Sequence, residues 1–216
     1  MIGFIQQMIN GLSIGSVYAL MAVGYSLVYS IMNFSNFAHG GVIMIGSYIG
    51  FFCISLLNFS FPVAFVTAAL GSGILAIIVE RVAYNPLRKR NAPFLYFIIS
   101  AMGASIFLEN IVVATIGPTF RTYPPVFSAT PIQIGGLTIG RLDVLMFVIS
   151  AISLSILVYI IEKTKIGLAI RATSYSSKGS TLMGVNVDKV IFTIFLLGGI
   201  LAGIAGVLFG MKYTVY

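Results

Sequence analysis

Val190–Met211 reads VIFTIFLLGGILAGIAGVLFGM, a stretch of 22 residues with no charged side chain. As a helix rising roughly 1.5 Å per residue it extends about 33 Å, enough to cross a hydrocarbon layer about 30 Å thick. Working outward, five more apolar runs of similar length are found at about 11–32, 40–57, 62–80, 94–116 and 142–161. The first 79 residues hold no Lys, Arg, Asp or Glu. Over all 216 residues there are 12 basic and 5 acidic side chains, and 59 % of residues are hydrophobic. A soluble domain of this length carries about 54 charges. This composition excludes a soluble enzyme, a nucleic-acid-binding domain and a disordered chain. It predicts an all-α integral membrane protein, a polytopic bundle of about six transmembrane helices in one domain, 1–216.

Cys53 and His39 each stand alone in the sequence. An intrachain disulfide and a His/Cys metal cluster are both ruled out, and no metal site is expected. The N-terminus lacks a basic leader region. Its apolar stretch is too long and too rich in Gly for a cleaved signal, so the first segment is expected to be retained.

The net charge of +7 is unevenly placed. Arg81, Arg88, Lys89 and Arg90 fall between spans three and four. Lys163, Lys165, Arg171, Lys178 and Lys189 fall between spans five and six. Nine of twelve basic residues thus occupy two loops that alternating spans bring to one side, and the positive-inside rule makes that side cytoplasmic. The 117–141 loop then faces out, as does the N-terminus. In that outer loop Gly117-Pro118 and Pro124-Pro125 punctuate the chain, and Ile132–Ile139 alternates around Gly135-Gly136 as a small β-hairpin. It reads either as a lid over the helix ends or as a docking surface. The inner stretch 162–189 is the one long polar segment. Within it, 166–173 and 178–185 are expected to form two short helices, Gly184 to end the second, and Asn186 to cap the sixth span.

Small residues at four-residue spacing mark close helix approach in lipid. Gly198, Ala202, Gly206 and Gly210 form such a stripe in the sixth span, with Gly199 and Gly203 beside it. Gly11, Gly15 and Ala19 do so in the first, and Gly46 and Gly50 in the second. These fit packing within the chain, or a seam that slides or meets a second subunit. Polar groups inside spans are costly and are candidate sites. Glu109 reads as a carboxylate near the outer interface or as a group lining a solute path. Asn33, Asn36 and His39 read as a hydrogen-bonded turn or as a broken helix facing a translocation path.

Motif by motif, the chain resembles the LivH-type permease subunits of branched-chain amino acid ABC importers. The resemblance is carried by 10–20 (NGLSIGSVYAL), 24–29 (GYSLVY), 36–40 (NFAHG) with 44–48 (MIGSY), and 80–84 (ERVAY) with 86–88 (PLR). It continues through 100–103 (SAMG) with 105–110 (SIFLEN), 167–172 and 184–186. Some positions depart from the family pattern: Gly41 stands where many relatives carry an acidic residue, Glu109 where Gln is frequent, and Tyr175, Ser176 and Ser180 in the loop. Family members continue past the sixth span, so the chain is expected to be C-terminally incomplete.

The resemblance implies a plasma-membrane importer of a prokaryote. It comprises two permease subunits (the second LivM-like), two cytoplasmic ATPases and an extracytoplasmic solute-binding protein. No Gly-x-x-x-x-Gly-Lys-Ser/Thr loop is present, so ATP and Mg are expected on the ATPases and no cofactor on this chain. No nucleic-acid partner is expected; membrane lipid is. The 162–189 loop is then the coupling element, with Arg171, Ala172, Leu182 and Gly184 as its ATPase-facing residues. Competing readings are a passive channel for a small polar solute such as urea, a non-transporting scaffold, and an importer for urea or short amides.

Overall fold

The computed structural model describes residues 2–119, 121–124, 132–134 and 137–213. The chain is helical almost throughout, with six helices long and apolar enough to cross a membrane. They are α1 (Ile2–Met32), α2 (Ala38–Ser55), α3 (Phe61–Val79), α5 (Phe94–Ile116), α6 (Arg141–Lys163) and α9 (Val187–Lys212). After α3 the chain runs through a π-turn, Glu80–Tyr84, into the short α4 (Asn85–Lys89). Two short helices, α7 (Lys165–Tyr175) and α8 (Ser177–Leu182), link α6 to α9. Strands β1 (Ile132–Ile134) and β2 (Leu137–Ile139) pair antiparallel, Gln133 opposite Thr138. Gly135 and Gly136, the expected hairpin tip, and Pro125 lie outside the described residues.

The span expected at 11–32 begins earlier, at Ile2, because Gln6 and Asn10 stay helical and bond each other one turn apart at 3.2 Å. Gln6 also exchanges two hydrogen bonds with the Thr138 backbone, at 2.7 and 2.8 Å. That pairing puts the N-terminal end of α1 on the same side as the 117–141 loop. At the other end of α1, the Ser174 hydroxyl of α7 donates to the Ser30 carbonyl at 2.8 Å. The six spans alternate, and one face of the bundle gathers the nine basic residues of the two charged loops.

Helix α9 is the axis, and α1, α2 and α3 pack around it through glycines. A methyl on Gly198 would come 3.0 Å from the Gly24 carbonyl of α1, and one on Gly203 would come 2.6 Å from the Ala68 carbonyl of α3. A methyl on Gly46 of α2 would come 2.8 Å from the Gly203 Cα. Gly206 abuts the α2 backbone at Ile43 and Ser47, and Gly199 meets Ser72, Gly73 and Ala76. In lipid, where apolar side chains gain little by leaving their surroundings, such backbone approach is what holds helices together. Ala202 and Gly210 are buried, and Gly50 lies under Tyr123 and Val207. Gly11 and Gly15 differ: they are exposed, and a methyl on either would meet nothing within 4 Å. Helix α1 makes its contacts through Ser13, Val17, Leu20, Leu27 and Val28 instead, a line turned away from those glycines.

Two polar clasps close the ends of the axis. At the end of α9, Lys212 pairs with Asp143 of α6 at 2.7 Å, and the Ser13 hydroxyl donates to the same carboxylate at 3.1 Å. At its start, Arg88 bridges Asp188 at 2.8 Å and the buried Glu80 at 3.2 Å. Between them Tyr84 is fully buried, its ring against Phe34 and Phe195 with centroids 5.0 and 5.7 Å away.

Candidate functional site

The connector 33–37 joins α1 to α2. Asn33 takes a left-handed backbone (φ 55°) that ends α1, and Asn residues tolerate this conformation better than most. The chain then climbs into the bundle, so α2 starts with its His39 beside Gly24 and Gly198, near the middle of α9 rather than at its end. A methyl on Gly24 would meet the Gly198 carbonyl at 3.2 Å and the His39 ring at 3.3 Å, which is why this junction takes glycine. Tyr25 meets the imidazole edge-on at 6.2 Å. The side-chain carbonyl of Asn36 accepts from the Tyr84 hydroxyl at 2.7 Å, both groups buried.

The four expected path residues therefore do not form one cluster. Asn36 and His39 are committed inside the chain, in contacts among α1, α2, α9 and the π-turn. Asn33 is exposed at the basic face. Glu109 is on α5, exposed, accepting a hydrogen bond from Ser105 one turn earlier at 2.9 Å. Helix α5 itself touches the bundle along one narrow line, Ala101, Leu108 and Val112, with Leu108 against Gly41 of α2. Sequence reading had no signal for the Asn36–Tyr84 bond or for Ser105 as the partner of Glu109. The first joins residues 48 apart, and the second is one of many possible helical neighbours.

Over the outer half of α2 lies Tyr123, buried, donating from its hydroxyl to the Ser47 carbonyl at 2.6 Å. Burial raises its phenol above the ordinary tyrosine range, so it stays a neutral donor. This loop residue packs with Phe51, Tyr48 and Val112 and closes the α2–α5 cleft from the end opposite the basic face.

At the basic face the 162–189 segment folds into the two expected helices. Thr164 caps α7 by accepting from the Gly167 amide at 3.0 Å, and Ser176 caps α8 by accepting from Gly179 at 3.1 Å. Gly184 turns the chain out of α8 with φ 83°, and Asn186 caps α9 by accepting from Lys189 at 3.0 Å. Gly167 lies so close to the Ile160 and Ile161 carbonyls that any side chain there would collide with backbone. Arg171 points back and donates to the Ile161 and Glu162 carbonyls at 2.8 and 3.3 Å, closing the end of α6. It is thus a brace for the segment as well as part of its surface. Ala172, Leu182 and Gly184 are exposed. The most exposed apolar side chains of the segment are Tyr175, at 95 %, and Leu182 and Met183, at 87 % each. Tyr175 and Met183 were missed by sequence reading. The available signal was large apolar residues in a segment that is otherwise polar and lies beyond the spans.

Six helices long and apolar enough to cross a membrane, around a glycine-packed axis with a braced platform on one face, define a multi-pass membrane protein, and the family match makes it a transport permease. The chain belongs to the family described as "Branched-chain amino acid transport system / permease component", which matches residues 7–216. It is 38 % identical to the high-affinity branched-chain amino acid transport system permease protein BraD of Pseudomonas aeruginosa, over 98 % of this chain and 72 % of that protein. It is 38 % identical to the permease protein LivH of Salmonella typhimurium and 36 % identical to LivH of Escherichia coli K12, each over the same shares. No solved structure matches the chain at a significant level.

Proposed function

We propose that this chain is the membrane-spanning permease subunit of an ATP-driven importer of branched-chain amino acids. It works in a prokaryotic plasma membrane with a second, LivM-like permease, two cytoplasmic ATPases and an extracytoplasmic binding protein. The family match across nearly the whole chain carries this reading, and the platform at the basic face supports it. Tyr175, Leu182 and Met183 each hold an apolar side chain out from the ends of two capped helices, and water is a poor neighbour for side chains so exposed. An ATPase groove is the partner that the reading assigns to them. ATP and Mg are bound and hydrolysed by those ATPases, and this chain supplies the lever. Thr164, Arg171 and the Ser174–Ser30 bond tie the platform to α6 and α1, so a push on those side chains is passed to the spans rather than absorbed in the loop. Lining of the solute path falls to α5.

The test is reconstitution of the four-component complex in vesicles loaded with ATP, with leucine uptake as the readout. Uptake should require ATP and binding protein. It should fall at least tenfold in Leu182→Glu/Met183→Glu while the variant still inserts. Equal uptake by this chain alone, without ATP, would instead identify a passive channel. Inhibition by urea but not by isoleucine would reassign the solute.

A further inference from the structure

Glu109 is an ionisable group exposed within a membrane helix, in its outer half. It is the sixteenth residue of α5, about 22 Å from the helix end at the basic face and about 10 Å from the other end. With a hydrocarbon layer about 30 Å thick centred on this helix, its Cα lies roughly 8 Å inside the apolar region. Its neighbour Leu108 packs on Gly41 of α2, a level that α9 reaches near its own midpoint, Gly198. A carboxylate at such depth is costly against lipid. Lys or Arg can reach back to the interface from there, but Glu has only two methylenes. The side chain also points the wrong way for escape: it bends toward Ser105, one turn nearer the centre of the helix. Among the described residues no cation pairs with it; the ion pairs join Arg88 to Glu80 and Asp188, and Lys212 to Asp143.

The surface beside it is open. Helices α2 and α5 run in the same direction. The residue before Gly41 on α2 and the residue after Leu108 on α5 therefore turn to the same side of their contact. Those residues are Gly40 and Glu109. Gly40 is exposed, and a methyl built on it would meet nothing within 4 Å. The floor of this flank is thus bare backbone, one wall carries a hydroxyl and a carboxyl, and Tyr123 caps the cleft farther out. Such a flank suits a small solute with a positive end and an apolar body, and it suits lipid badly.

The geometry points to Glu109, with Ser105, as an intramembrane binding station for the ammonium group of the transported amino acid. The proposal rests on the transport reading above and adds to it the residue that meets the solute and the solute group that is met. The carboxylate takes the ammonium end by charge-assisted hydrogen bonding, Ser105 holds the carboxylate in place, and the bare floor at Gly40 leaves room for the branched side chain.

The reconstituted complex tests this. Glu109→Leu should still assemble and should still show ATP hydrolysis stimulated by the binding protein, yet leucine uptake should fall at least tenfold, and Glu109→Gln, which keeps an acceptor oxygen as many relatives do, should recover part of it. Ser105→Cys supplies a thiol at the station against a background of one buried native cysteine, Cys53. A charged, membrane-impermeant thiol reagent should label it, and leucine should slow labelling several-fold, whereas 4-methyl-2-oxopentanoate, which lacks the ammonium group, should not. Uptake by Glu109→Leu within twofold of the parent would overturn the proposal, as would labelling that leucine leaves unchanged. Loss of the assembled complex in Glu109→Leu would also overturn it, assigning the carboxylate to a polar contact with the second permease. If the parent complex takes up no leucine at all, it is the transport reading that has failed.

Discussion

Helices α9 and α5 are both apolar enough to span a membrane, and they behave in opposite ways. In α9, 72 % of the residues in the most apolar stretch are buried; in α5 the share is 17 %. Gly198, Gly199, Gly203 and Gly206 of α9 sit where a side chain would strike backbone, while Gly103 of α5 faces open space. The polar residues differ too: α9 keeps its charges at its ends, clasped by Arg88 and Asp143, whereas α5 carries Glu109 and Asn110 exposed within the span. Hydropathy alone does not separate the two. The difference lies in where small and polar residues fall around each helix, and it divides the molecule into a fixed axis and a face that is finished by something outside the chain.

The strongest way to break this contrast is to overfill both helices. Gly203→Leu forces a side chain against the Ala68 carbonyl and Ala69 and should cost about 3 kcal/mol or more, enough to lose folded protein. Gly103→Leu should change stability by less than about 0.5 kcal/mol. Thermal unfolding of the purified permease in detergent reads both, and equal losses would abolish the distinction. Next comes the outer clasp of the axis. Asp143→Asn leaves Lys212 without its carboxylate and should cost about 1–3 kcal/mol by the same measurement, with Lys212→Met in the same chain restoring part of it. The buried bond between Tyr84 and Asn36 is a smaller element: Tyr84→Phe leaves an amide oxygen unpaired and should cost about 1–2 kcal/mol. Smallest is the cap on α9. Asn186→Ala should cost about 1 kcal/mol and raise hydrogen exchange at Lys189 before any change is seen deeper in the helix.

Much of the fold was legible in the sequence because lipid imposes a length and a polarity on every span. Five of the six expected spans begin and end within three residues of the helices found. The turn signals at Gly184 and Asn186 also sit where the backbone needs them. The exceptions have a physical cause. Helix α1 runs past its apolar stretch because Gln6 and Asn10 find partners without leaving the helix. The π-turn at Glu80–Tyr84 gives no compositional sign; it is set by Tyr84 and Arg88 meeting groups far along the chain. Less of the candidate site could be read. Asn33, Asn36 and His39 share a helical spacing, yet no helix runs through 33–37, so the spacing carried no information about a common face. Gly11 and Gly15 show the same limit in reverse: the four-residue pattern is present, but which side of α1 meets the bundle was decided by bulky residues elsewhere.

The connector 33–37 has one more consequence. Its ends are pinned, by Asn33 bonding back to the Tyr29 carbonyl at 2.9 Å and by the His39 amide bonding to the Asn36 carbonyl at 3.1 Å. It therefore works as a phase-setter for α2: one residue gained or lost there would rotate the helix by about 100° if its depth were kept. That turn would swing Gly46 and Gly50 off the axis and replace them with side chains that have no room. In related permeases this short connector should resist insertions and deletions more firmly than its irregular backbone would suggest, because its length encodes an angle.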